Sequence, residues 1–309
     1  MNYIKSAFLL ASSFVLCDST MLVASLPYAG GSICQPVVSA STPIYSSGAQ
    51  KVAVVTHDDH TYTIHNNDGM YAVFAKANQS TNSGSTVDIP SFIKFQGGCI
   101  PVIAIGVDAF ATRTIGGVVI PFSVKVIEER AFFYATAGYV LFSSCSQLKQ
   151  IYPHAFFNSS IQNITIPSSV SFIGKYAFAN DDLPIITRRS RPTISSIVFE
   201  EDSQLEEIGE GAFEYADITS ITIPPLVEFI PDFCFHCCHN LTNVIIPQNS
   251  DLSEFGDSAF AGDVNLVSIS NLEKIETLGE DSLSACKQLQ IPEGWQPFAK
   301  PNAFRGVRY

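Results

Sequence analysis

The feature that most constrains this chain is a small residue followed by phenylalanine, recurring at 22 to 25 residues. The pairs are Ala109–Phe110, Ala131–Phe132, Ala155–Phe156, Ala177–Phe178, Ala212–Phe213, Cys234–Phe235 and Ala259–Phe260, with Ser282–Leu283 a degenerate eighth. Successive steps are 22, 24, 22, 35, 22, 25 and 23 residues, and the single long step holds an insertion near residues 180–192. A unit this short cannot bury an apolar face of its own. Stacked copies can, so the period predicts a solenoid whose coils share one continuous core.

Each unit has a second fixed piece. Ten residues after the Phe comes Ile120–Pro121, Ile166–Pro167 or Ile223–Pro224. The residues before it alternate, as in Asn163–Ile166 (NITI) and Ser220–Ile223 (SITI). Period-2 alternation with β-branched residues predicts a short strand, and proline, which has no N–H for a ladder, closes it. An apolar arc follows, Val170, Ile173, Gly174 in one unit and Leu205, Ile208, Gly209 in another, and leads back to the small–Phe pair. One strand per coil, about 4.8 Å from the next, makes a parallel sheet. Its inward residues are Val118, Ile120, Ile164, Ile166, Ile221 and Ile223. The outward row is Val119, Leu141, Thr165, Val198, Thr222 and Ile245, flanked by Gly117, Tyr139, Asn163, Ser196, Ser220 and Asn243.

The elements [IV]-x-I-P and [VL]-x-x-I-G-x-x-A-F, as they stand in these units, resemble the BspA-like leucine-rich repeat family of bacterial and protozoan surface proteins. The resemblance covers residues 87–292. It implies a curved right-handed solenoid with a parallel β-sheet on the concave side. It also implies a surface or secreted role in adhesion or protein contact, with a host or matrix protein as the partner class. On that reading Val119, Tyr139, Leu141, Thr165, Val198, Ser220, Thr222, Asn243 and Ile245 form the candidate partner-binding face.

The chain has 309 residues, a formal net charge of −12, 46% hydrophobic residues and 23 Phe, which argues against disorder. The acidic balance disfavours a nucleic-acid partner. Residues 1–24 resemble a signal peptide: Lys5 near the start, then the uncharged run Ala7–Leu16. No later run is long and apolar enough for a transmembrane helix. The expected division is therefore a signal over 1–24, a β-rich cap over 25–86, repeats over 87–292 and a tail over 293–309. Secretion or cell-surface display follows. If the N-terminus is not a signal, the alternative is an intracellular scaffold. Asn78, Asn158, Asn163 and Asn240 stand in N-x-S/T sequons. Asn163 conflicts with the binding face, because a glycan there would obstruct it.

The stretch Phe233–Asn240, FCFHCCHN, carries zinc-ligand letters. In register, Cys234 takes the small slot before the packed Phe. Cys238 takes the turn slot held by Cys286, where a Cys is common in the family resembled. His236, Cys237 and His239 fall in a variable turn. With no second ligand pair in an adjacent coil, the register favours an unusual turn over a metal site, and no metal or cofactor is expected. Cys34–Cys99 is the candidate disulfide, closing the cap. His57-Asp58-Asp59-His60 reads as a hairpin turn in a meander over residues 50–76. No G-x-S-x-G, H-E-x-x-H or P-loop occurs, so a non-enzymatic role is expected. The insertion carries Arg188, Arg189 and Arg191, three of seven Arg, before the acidic run Glu200–Asp202. It reads as a loop folded on that coil or a basic finger.

Overall fold

The computed structural model describes residues 45–46, 48–67, 69–77, 84–181 and 193–307. The signal segment, Asn78, Cys34 and the three insertion arginines lie outside them. The described residues fall within one compact unit. They form short strands with one 3₁₀ turn, Leu272–Lys274.

Each coil contributes to two parallel ladders. The longer strands pair in register as Thr86–Asp88, Gly117–Ile120 and Val140–Phe142, then Asn163–Ile166 with Ser196–Phe199, then Ser220–Thr222, Asn243–Ile245 and Ser268–Ile269. The returning arcs supply two-residue strands, among them Val126–Ile127, Gln150–Ile151, Phe172–Ile173 and Glu207–Ile208. The proline that closes a long strand also opens the turn after it. The carbonyls of Pro121, Pro167 and Pro224 accept from the N–H of Val124, Val170 and Val227, three residues on.

The small–Phe pair sits at a third corner, where the backbone turns twice through the left-handed region. Two residues before the Phe, Asp108, Arg130, His154, Tyr176, Phe233 and Ser258 have φ between 53° and 58°. Two residues after it, Thr112, Tyr134, Asn158, Tyr215 and Cys237 have φ between 52° and 58°. Each such residue costs roughly 1–2 kcal/mol, and stacking repays it. The Phe N–H of one coil donates to the carbonyl of the small residue in the next, as Phe132 to Ala155 and Phe235 to Ala259. The rings follow at the same pitch. Phe110, Phe132, Phe156, Phe178, Phe213, Phe235 and Phe260 stack with centroids 4.7 to 5.7 Å apart. All seven are essentially fully buried. The widest gap, Phe178 to Phe213, spans the inserted step.

At the N-terminal side the chain forms the antiparallel meander expected from its sequence: β1 Gln50–His57, β2 His60–Asn66 and β3 Met70–Lys76. Asp58 and Asp59 both have positive φ, which is the two-residue hairpin geometry, so their role in HDDH is to make the turn. β3 pairs in parallel with Gly98–Ile105 and so extends the short ladder. Its Phe74 stacks on Phe110 at 5.0 Å and adds a rung that no small–Phe pair announces. At the other side, Phe298–Ala299 pairs with Thr277–Leu278, and Ala303–Phe304 repeats the corner. Trp295 packs edge-on to Phe304 and donates its indole N–H to the Ile275 carbonyl.

Candidate functional site

Alternation along the long strands sorts side chains by face. Val118, Ile120, Ile164, Ile166, Ile221 and Ile223 point into the core and are buried. The registers place Asp88, Val119 and Leu141 in one outward row, Thr165 beside Val198, and Thr222 beside Ile245. Leu141, Val198 and Ile245 are 54%, 52% and 46% exposed, and a one-residue shift of register would turn them inward.

The flanking row is polar. Tyr139 lies flat across Gly117, where a Cβ would meet its ring at 2.4 Å, and reaches Thr86 two coils away with a 2.6 Å hydrogen bond. Asn243 accepts from the Ser268 hydroxyl at 2.8 Å. Between the strands of Val198 and Thr222 is a cleft of about 370 Å³, edged by Glu200, Glu201, Asp202 and Pro224. The face thus offers an apolar stripe, a hydroxyl-and-amide stripe and an acidic edge.

The sequon asparagines separate by environment. Asn163 and Asn240 are exposed. Asn158 is not available: its amide nitrogen is buried, and its Oδ1 accepts from the Asp181 N–H at 3.0 Å. Of the expected disulfide pair, Cys99 is disulfide-bonded, and so is Cys145, which spacing did not single out. Cys234, Cys237, Cys238 and Cys286 are free thiols. Cys234 fills the small slot, and Cys238 and Cys286 occupy one equivalent position. Their sulfurs donate to the carbonyls of Phe213 and Phe260, both at 3.1 Å. Burial pushes all three thiols well up. Among the described residues no group of three or more His, Cys, Asp and Glu is placed to hold a metal ion.

These coils, two parallel ladders closed by a stacked aromatic corner, define a leucine-rich repeat solenoid. The BspA type leucine rich repeat model matches residues 103–208 and 189–290 in six copies, and the chain belongs to that family. No curated protein matches it. Among solved structures it is similar to the pneumococcal vaccine antigen PcpA, at 15% identity and TM-score 0.46, over 84% of this chain and 87% of that one. The Treponema pallidum (T. pallidum) leucine-rich repeat protein matches at 21% identity and TM-score 0.45, over 72% and 84%. A leucine-rich repeat protein of Bacteroides capillosus is 28% identical with TM-score 0.36, over 48% and 98%.

Proposed function

We propose that this protein is an exported, non-enzymatic protein-interaction module that contacts a host or extracellular-matrix protein through the strand face. The observation that carries this is the exposure of Leu141, Val198 and Ile245. These three large apolar side chains, each about half exposed, take the same outward strand position in three successive short sheets, while Val140, Ile197 and Val244 beside them point into the core. A large apolar patch on an ordered surface marks a partner site where a single exposed side chain does not, so the reading requires the three to act together. The polar row of Tyr139, Ser220 and Asn243 supplies hydrogen-bonding groups beside them, and the Glu200–Asp202 edge favours a partner with basic residues there.

Export rests on the signal-like N-terminus. No helix among the described residues is long and apolar enough to cross a membrane. The interaction reading also requires that Asn163 carry no glycan. Mass spectrometry of protein from its native source tests both points: the expected result is a mature N-terminus beyond residue 17 and a bare Asn163. An intact Met1 would put an intracellular scaffold in its place. Occupied Asn163 would remove the strand face as the contact surface.

A further inference from the structure

Two residues of the FCFHCCHN turn and one of the preceding coil do something that packing does not require. The coil register brings them together. Glu214 and His236 each follow the stacked Phe of consecutive coils, so they hold the same slot one rung apart. His236 Nδ1 donates to Glu214 Oε1 at 2.9 Å. The next slot holds Cys237, whose Sγ lies 3.5 Å from His236 Nε2. The imidazole is fixed in orientation by the edges of Tyr215 and Phe233, each 5.6 Å away. A nucleophile, an imidazole and a carboxylate that orients the ring therefore stand in line.

Two further observations separate this thiol from the others. Cys237 is the one free cysteine among the described residues that is not buried. In the following coil its slot is held by Gly262, and a Cβ there would lie 2.7 Å from Sγ. Glycine lets the backbone of that coil pack close against the sulfur without a clash.

We infer that Cys237 is a reactive thiol that exchanges with disulfides, with the His236 imidazolium as proton donor to the departing sulfur and Glu214 holding the ring in place. The thiol proton of Cys237 leaves to solvent. The thiolate attacks one sulfur of a disulfide, a Cys237–S bond forms, the original S–S bond breaks, and the departing thiolate takes a proton from the imidazolium, which solvent then restores. Among the described residues the other free thiols, Cys234, Cys238 and Cys286, are buried, so none of them resolves the product. It persists as a mixed disulfide, a covalent tether to whatever supplied the disulfide.

The surroundings hold His236 in its protonated form. The hydrogen bonds to Cys237 and Glu214 raise His236 to about 9, against burial. Glu214 and Tyr215 face the site from the preceding coil and His239 from the same turn. The following coil brings Asp263, whose carboxyl burial pushes well up. The His236 ring so protonated lies 3.5 Å from the sulfur.

The test treats the native full-length protein with an aromatic disulfide, dithiobisnitrobenzoate. The fast mixed disulfide is expected on the Cys237 peptide by mass spectrometry and lost in Cys237→Ser. At about pH 5.5, His236→Gln slows it about tenfold, and by about pH 8.5 the gap narrows, because the imidazolium begins to lose its proton there. Glu214→Gln, which preserves shape, slows it in the same direction. Fast labelling at another cysteine, or an unchanged rate at pH 5.5 in both His236→Gln and Glu214→Gln, overturns the inference.

Discussion

At the scale of single residues, the chain accepts local cost where coil-to-coil pairing returns it. Asp263 is the sharpest instance. It is fully buried, its Oδ1 accepts from the Cys238 N–H at 2.7 Å, and its Oδ2 has no partner. Burial raises its folded-state pKa above the unfolded value. For an acid with a raised pKa, the folded state is penalised once pH exceeds the unfolded pKa near 3.9, and the penalty grows as pH rises toward the folded value. Asp263→Asn keeps the accepting oxygen and removes the ionisation. Thermal melts at about pH 8 should show the variant more stable by at least about 1 kcal/mol, with the difference lost near about pH 4. Neither this carboxyl's burial nor the left-handed corners could be read from the sequence. Asp108, Arg130, His154, Tyr176, Phe233 and Ser258 share a backbone conformation but no side-chain chemistry. The Glu214–His236 contact left only a faint trace: both residues stand one place after a ladder Phe.

At the scale of the repeated element, the aromatic ladder carries the stability. Each ring touches the ring above and below, so one truncation opens a void shared by two interfaces. Phe156→Ala should destabilise the protein by about 3–5 kcal/mol in denaturant melts. Because each rung of the ladder stacks only on the rungs beside it, hydrogen exchange should rise first in the coils of Phe132 and Phe178. A cost under about 1 kcal/mol would mean the ladder is not the core. This element was the most legible part of the chain, since a period of 22 to 25 residues with a fixed small–Phe pair leaves little choice of fold. Phe74 escaped because Val73 precedes it and a hairpin separates it from Phe110. Ala303–Phe304, within the segment read from sequence as a tail, repeats the corner once more. The bonding of Cys145 was not read from its spacing.

At the scale of the whole molecule, two ladders give two faces with different character. The inward and outward sets of the long strands followed from alternation alone, and the buried Ile164, Ile166, Ile221 and Ile223 match it. What alternation could not show is how far each outward residue protrudes. Val119 is partly covered beside Leu141, and the cleft at Val198 forms only where the strand ladder breaks after the insertion. The short ladder also exposes apolar residues, Phe229 and Phe298, and these give a natural control surface. The decisive measurement is binding of the full chain to a panel of immobilised extracellular-matrix proteins, comparing Leu141→Glu/Val198→Glu/Ile245→Glu with Phe229→Glu/Phe298→Glu. The strand-face account predicts that the unmodified chain binds, that the first variant loses at least about tenfold in affinity, and that the second binds as before. Equal binding by the first variant, or binding lost only in the second, would contradict it.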